Sequence, residues 1–481
     1  MTKKRIAVIG AGPAGATAAY ELSKYLDSGA ISQLDLYEAS NSPGGLARSI
    51  PLWGQQIDLG PHRFFSNDSR VNKLWLEVAG HDYEMVDRIT RIYYKNSFFN
   101  YPLKPFNALS NLGVWEAGLC FGSYLKEKAN PTKQDGTFET WVTGRFGKKL
   151  YEIFFKTYSE KLWGIKCDEL DADFAAQRIK KLSLFEAIIN AFKGGKNNKH
   201  KTLVDQFAYP ADGTGMIYSR MMEKIIANGG KVHFNRPIKR VITEHGKVTS
   251  VETESGEVKE YDEVISSMPI SLLVDRLPEV PSEIQKRAKS LKFRNTILVY
   301  LNVEAQNLFP DQWLYIHSEK LQTGRITNFS NWVPSINKDS KDTIICMEYW
   351  CNFEDEFWSW DESRLIELAK KELRATGLTG DAEISKGSIY KIPRCYPVYY
   401  SGYKETLKPV EHYLSSIEGL QVIGRYGSYK YNNQDHSILM GLLSSENVIE
   451  GKKNNLWEIN TDYDSYQEES VITKTGLEKF N

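Results

Sequence analysis

Arg5 to Ile9 is a short run of β-branched and apolar residues that stops at Gly10. Its length and composition predict a buried strand. Gly10 to Gly15 reads GlyAlaGlyProAlaGly, and the small, helix-forming run from Ala16 to Leu22 follows. A second apolar run, Leu34 to Tyr37, ends at Glu38. Strand, glycine turn, helix, strand and acid predict a βαβ unit. From about residue 70 to 190 the apolar positions recur at helical spacing, as in Trp141 to Trp163 and Leu182 to Phe192. Residues 231–268 and 291–350 read as short strands with turns. Asp361 to Ala375 predicts an amphipathic helix, Leu420 to Gly424 a strand and His436 to Glu450 a helix. The last 30 residues are polar and predict a mobile or loosely docked tail.

These elements predict an α/β protein. A Rossmann-type nucleotide-binding domain is expected from discontinuous segments, 1–68, 205–290 and 415–451. A mainly helical domain spans 69–204, a mixed β-sheet substrate domain 291–414, and the tail 452–481. Composition narrows the class. The chain has 481 residues, 41% hydrophobic and 25% charged, which excludes wholesale disorder. Lys plus Arg and Asp plus Glu each number 61, so no overall field attracts nucleic acid, and any anion must be met by a few placed residues. Five scattered cysteines, with no CxxC and no Cys/His cluster, predict a reducing compartment and no metal. The most apolar long stretch, Ala108 to Tyr124, carries Asn111 and Glu116, so no membrane span is expected. A cytoplasmic protein is the expectation.

The chemistry begins at the glycines. Gly10 permits the tight turn, Gly12 lets the backbone approach a pyrophosphate, and Gly15 allows the helix to lie close on the strand. The helix N-terminus offers free N–H groups to phosphates. Glu38 stands 23 residues after Gly15, where an acid accepts the ribose hydroxyls. Gly44 and Gly45 form a second glycine turn close behind it, which fits FAD, with Arg48 near the pyrophosphate or the ring. Late in the chain Gly424 and Arg425 leave a strand and lead to AsnAsnGlnAspHisSer at 432–437. A helix starting there would stabilise the charge of a reduced flavin. There is no second dinucleotide fingerprint, though NAD(P)H could reduce the flavin without one.

With these motifs the chain resembles a family. The fingerprint with GlyGlyLeuAlaArgSer is similar to FAD-dependent amine oxidases and protoporphyrinogen oxidases. TyrSerGluLysLeuTrpGly at 158–164 with Arg178, TrpLeuTyr at 313–315, the stretch from Arg325, Tyr396-Pro397 and GlyArgTyrGlySerTyrLysTyr before the 432–437 motif resemble UDP-galactopyranose mutases. The resemblance implies a reduced flavin acting as nucleophile on a nucleotide-diphosphate sugar, ring contraction without net redox change, and a place in polysaccharide biosynthesis. It implies His62 beside the flavin, and Arg178 and Arg325 on the diphosphate with Tyr396 and Tyr431. It also implies Tyr101, Tyr158, Trp163, Trp313 and Tyr315 against the substrate, and further cofactor contacts from Gly60, Val241, Arg425, Gln434, Asp435 and Ser437. Two stretches depart from the mutase pattern. Gly60-Pro61-His62-Arg63 replaces a Gly-Gly-His turn, and Tyr101-Pro102-Leu103-Lys104 replaces Tyr-Pro-Phe-Gln. The alternative is an FAD-dependent oxidoreductase acting on an amine, a porphyrinogen or a polyene. The basic loop 193–201 is expected to close as a flap over a diphosphate. The sequence does not set the oligomeric state.

Overall fold

The computed structural model describes residues 3–101, 103, 105–173, 206–459 and 470–479. The chain divides into two compact units. One is Met1–Val86, Phe207–Lys292 and Lys404–Asn481; the other is Asp87–Gln206 and Phe293–Tyr403. The helical and mixed-sheet stretches that the sequence suggests as two domains thus fall in one unit. Residues 69–86 and 404–414 fall with the glycine fingerprint.

The first unit is built on a five-stranded parallel sheet, in the order Leu420–Val422, Glu263–Ser266, Lys4–Ile9, Ile31–Tyr37, Lys231–His233. The apolar run at Lys4–Ile9 takes its central place because its last four residues are buried on both faces. Helix Pro13–Ser23 buries Ala14, Gly15, Ala16, Ala18 and Ala19. Helix Gln434–Glu450 crosses it so tightly that a Cβ on Gly441 would stand 2.5 Å from the Ala14 carbonyl oxygen. Ile6, Val8, Leu34, Leu36, Ile265, Ile423 and Ile438 share the core, each burial contributing roughly 1.5–3 kcal/mol. A small antiparallel sheet, Ile238–Glu244, Lys247–Thr253 and Val258–Glu260, completes the strand-rich stretch expected there. The tail is more firmly attached than its polarity suggests. Leu456 and Ile472 enter the core, and the Tyr83 hydroxyl donates to the Thr473 carbonyl at 2.7 Å.

The second unit is organised by a seven-stranded sheet, in the order Ile384–Pro397, Phe293–Val303, Thr343–Cys351, Arg325–Asn328, Trp313–Ile316, Thr90–Tyr94, Ser97–Asn100. Side chains alternate between its faces. Ile297, Val299, Leu301, Ile326, Ile345, Met347 and Tyr349 pack with Leu365, Ala369 and Leu373 of helix Glu362–Ala375. The intervening residues, among them Arg325, Glu348 and Trp350, lie on the other face. The hairpin Thr90–Tyr94/Ser97–Asn100 stands inside the stretch expected to be mainly helical. Its first strand joins the sheet by parallel pairing with Trp313–Ile316, a partner more than 200 residues away. The helical period from Trp141 to Trp163 is also interrupted. Helix Phe138–Phe146 stops at Gly147, whose φ is +80° and where a Cβ would stand 2.8 Å from the Tyr124 nitrogen. Helix Lys148–Tyr151, a π-helical turn at Glu152–Lys156 and helix Thr157–Trp163 follow.

Candidate functional site

In the first unit Gly10, Gly12, Gly15, Glu38 and Gly44 meet at the start of helix Pro13–Ser23. Gly12 is its N-cap, with no side chain capping it and Pro13 in the first turn. Gly10 has a φ of +97°, and a Cβ there would meet the Ser267 hydroxyl at 2.2 Å. A Cβ on Gly15 would stand 1.9 Å from the Gly10 carbonyl oxygen. Both positions exclude any side chain. The Gly44 N–H donates to the Ala11 carbonyl at 2.8 Å, which brings the second glycine turn against the first. Glu38 accepts from the Ala11 N–H at 2.7 Å and from the Ser40 N–H and hydroxyl at 2.8 and 2.7 Å. Those bonds fix its carboxylate beside the turn before any ribose arrives.

Arg48 follows this clamp, and its buried Nε has no hydrogen-bond partner among the described residues. Gly60 has a φ of +88°, and its carbonyl oxygen lies 3.1 Å from His62 Nδ1. The His62 carbonyl accepts from the Thr214 hydroxyl at 2.8 Å. Gln434, in the first turn of helix Gln434–Glu450, reaches the same turn through the Arg63 carbonyl at 3.4 Å and accepts from Tyr218 at 2.7 Å. Asp435 and the buried Ser437 stand in that helix's first turns, and Asn433 caps it with His436 returning the bond. The Arg425 guanidinium lies 4.5 Å from the Tyr431 ring centroid. Val241 is fully buried in the small antiparallel sheet, paired with Val251.

Sequence reading missed Asp58. It is fully buried, and accepts from Ser49 at 2.5 Å, Tyr209 at 2.8 Å and the Thr214 N–H at 3.1 Å. Burial pushes its pKa up to about 6, against the pull of those donors. It ties the strand after Arg48 to the turn that leads into helix Gly215–Ala227.

The residues of this unit fit FAD. A Cβ on Gly12 would meet nothing nearer than the Gly45 Cα at 3.9 Å, so space is open where a pyrophosphate needs to approach. The uncapped helix start supplies N–H groups, Arg48 supplies a buried donor, and Glu38 stands at the ribose position.

In the second unit seven predicted residues, Tyr101, Tyr158, Trp163, Trp313, Tyr315, Arg325 and Tyr396, gather around one face of the large sheet. Tyr315 is the cross-strand partner of Arg325, and Arg325 of Glu348, so the three lie in a row across adjacent strands. Glu348 is almost fully buried and holds Arg325 by two bonds of 2.7 Å, Nε to Oε2 and Nη2 to Oε1. It also accepts from the Tyr396 hydroxyl at 3.1 Å and the Trp350 indole at 3.0 Å. Burial works against the charge of Arg325, but Glu348 together with Tyr396, Tyr158 and Tyr315 outweighs it and holds the guanidinium pKa well above its ordinary value. Arg325 Nη1 makes no hydrogen bond among the described residues.

Aromatic rings wall this row. Tyr158 stacks on His317 at 5.0 Å and meets Tyr315 edge-on at 5.5 Å. Trp313 stands 6.4 Å from Tyr315, and the more exposed Tyr101 reaches the same ring at 5.2 Å. Trp163 meets Tyr396 at 6.1 Å. Gly324 makes room, since a Cβ there would lie 1.8 Å from the Trp350 ring. Glu348 was not singled out in the sequence. Its signal is a single acid inside CysMetGluTyrTrp, a strand buried along its whole length. Such a charge needs a buried partner. Arg178 and the loop 193–201 lie outside the described residues. Lys161, part of the 158–164 motif, faces no ligand position: its ammonium donates to the carbonyls of Ile316, Ser318, Leu321 and Thr323 at 2.8–3.2 Å.

Among the described residues no group of three or more His, Cys, Asp or Glu could hold a metal, and no helix is long and apolar enough to cross a membrane. The sequence profile of the flavin containing amine oxidoreductase family matches residues 13–404. Coproporphyrinogen III oxidase of Staphylococcus aureus is 22% identical over 478 residues, covering 93% of this chain and 99% of that protein. The fold superposes on reduced UDP-galactopyranose mutase with a TM-score of 0.84, at 22% identity and 97% coverage of both chains. It superposes on a protein described as a protoporphyrinogen oxidase of Exiguobacterium sp. 255-15 with a TM-score of 0.71, at 16% identity, covering 94% of this chain and all of that one. At these identities the structural likeness is one of fold.

Proposed function

The chain belongs to the flavin containing amine oxidoreductase family, and we propose that within it the protein is a nucleotide-sugar mutase, interconverting pyranose and furanose forms of a nucleotide-diphosphate sugar without net redox change. Its cofactor is FAD. Reduced flavin would supply an electron-rich nitrogen for the anomeric carbon. The Gly12–Gly45 clamp, Glu38 and Arg48 would hold the dinucleotide. The start of helix Gln434–Glu450 would place a positive dipole end by the ring.

The observation that carries the reading is the row Tyr315–Arg325–Glu348. An arginine fixed on two sides by a carboxylate, with its third nitrogen left over, is set in place before a ligand arrives. It can hold a leaving diphosphate without reorganising. The Tyr396 hydroxyl shares the same carboxylate and stands beside it. Tyr158, Trp313 and Tyr315 would flank the sugar-nucleotide and exclude water. Because Glu348 balances the charge of Arg325, a diphosphate needs a second cation. Arg178, with Tyr431, is our proposal for that role. His62 is proposed beside the flavin.

A second reading rests on the Staphylococcus aureus relative, a coproporphyrinogen III oxidase. A carboxylate-bearing tetrapyrrole could also meet one arginine among aromatic rings. One comparison separates the two. Protein reduced with dithionite should convert UDP-galactofuranose, or another nucleotide-diphosphate furanose, to its pyranose form, and oxidised protein should not. Turnover of porphyrinogen in air, with no conversion of any sugar nucleotide tried, would replace the mutase by the oxidase.

A further inference from the structure

Helix Pro105–Ala129 of the second unit is broken at Gly113, whose φ is +77°, and the part that follows it turns an apolar face outward. Ala117, Cys120 and Glu127 are buried, whereas Val114 is 92% exposed, Trp115 82%, Leu119 46%, Phe121 51% and Leu125 50%. From Val114 to Leu125 the only acid or base is Glu116, which pairs with Lys95 at 3.0 Å away from this face. Aromatic side chains carry about 150–250 Å² each, so these five expose on the order of 600 Å². That is at the upper limit for the largest apolar patch of a monomer, and a large part of the roughly 800 Å² that each partner gives to a standard interface.

Gly118 and Gly122 lie in the middle of this face, and a Cβ at either would meet nothing within 4 Å. In an exposed helix each is less favourable than alanine. That cost is offset when another backbone approaches closely, and a lipid surface makes no such demand. Charge sets the direction. Lys126 and Lys128 stand in the last turn. A parallel pair of these helices would set the lysines side by side. An antiparallel pair with Gly118 facing Gly122 of the partner subunit separates the Lys126 ammoniums by about 18 Å along the axis. It also lays Lys126 near Trp115 of the partner subunit and opposes the helix dipoles.

We propose that this face docks a second copy of the chain, the two helices antiparallel and crossing at Gly118 and Gly122. Sedimentation of the flavin-loaded protein at micromolar concentration should give twice the mass of the chain. Leu119→Glu and Gly118→Ile should each loosen the dimer by at least about thirtyfold, with bound flavin and the far-ultraviolet circular dichroism spectrum unchanged. Trp115→Ser, a surface change, should do so more mildly. Three results would overturn the proposal. One is a wild-type monomer that sediments with anionic vesicles, which would assign the face to lipid. Another is a wild-type monomer that ignores vesicles, which would leave the face to a segment of the same chain. The third is a dimer that all three variants preserve, which would put the interface elsewhere.

Discussion

Gly12 and Gly45 face each other across the two glycine turns, so closely that a Cβ on Gly45 would stand 3.2 Å from the Gly12 Cα. The reverse relation is looser, at 3.9 Å, and that asymmetry decides an experiment. Gly12→Ala leaves the chain's own contacts intact and puts a methyl group where the pyrophosphate must approach. We expect a folded protein that has lost most of its FAD, read by flavin absorbance against circular dichroism. Gly15→Ala is the contrast. Its Cβ would stand 1.9 Å from the Gly10 carbonyl oxygen, so fold and flavin should fail together. Stoichiometric FAD in Gly12→Ala would place the dinucleotide elsewhere.

Arg325 and Glu348 change what a substitution at the arginine would report. Removing one member of a buried ion pair strands the other, which typically costs about 3–5 kcal/mol. Arg325→Met and Glu348→Gln should each lower stability by that order in denaturant titrations. The double variant Arg325→Met/Glu348→Leu should recover a large part of the loss, because no charge is left buried. Binding separates the roles. Any variant without Arg325 should bind UDP at least tenfold more weakly, since a charge-assisted bond contributes about 1.5–3 kcal/mol. UDP affinity equal to wild type in the stabilised double variant would remove Arg325 from the diphosphate.

The same pair shows where sequence reading stops. The βαβ unit was legible because its signals are local. Strand Lys4–Ile9, the glycines, helix Pro13–Ser23, strand Ile31–Tyr37 and Glu38 follow one another within 35 residues. The aromatic and arginine positions come from resemblance, and seven of them gather around one face of the sheet. Glu348 was not legible, because its meaning lies in a partner 23 residues away across two antiparallel strands. Nor was the strand Thr90–Tyr94, whose parallel partner is Trp313–Ile316. In the sequence the outward face of helix Pro105–Ala129 shows only as the apolar stretch Ala108 to Tyr124, too polar to span a membrane. Which of its sides is buried depends on helices Phe138–Phe146 and Lys148–Tyr151 packing against it.

Lys161 fastens the hairpin that carries Tyr315 and Arg325. Its ammonium is shared by the carbonyls of Ile316, Ser318, Leu321 and Thr323, the segment that joins the two strands. Lys161→Met keeps the side-chain length and removes the donor. We expect a loss on the order of 3 kcal/mol, since hydrogen bonds from a charged group contribute about 1.5–3 kcal/mol and several carbonyls lose one. Hydrogen exchange should rise in residues 316–325 more than in strand Phe293–Val303. If exchange rises evenly across the sheet, the lysine is not a local fastener.

His317 and Asp58 make opposite contributions to acid stability. His317 is buried against Tyr158, and burial together with the nearby Lys161 ammonium pushes its pKa down to about 3. Unfolded, it takes up a proton near its ordinary value of 6.5. Between pH 6.5 and 3 the unfolded chain therefore holds the extra proton, and stability falls as pH falls. Asp58 has the reverse sign. Its native pKa of about 6 lies above the ordinary 3.8. Between those values the folded chain holds the extra proton, so stability rises as pH falls. Each slope approaches about 1.4 kcal/mol per pH unit where a full proton separates the two states. From pH 6 to 4 the two slopes offset each other in the wild type. His317→Gln should therefore make the protein gain stability on acidification through that window, and Asp58→Asn should make it lose stability more steeply. Denaturant midpoints at half-unit steps from pH 7 to 4, normalised to each variant at pH 7, test both. Two variants whose curves run parallel to wild type would show that neither group changes protonation on unfolding.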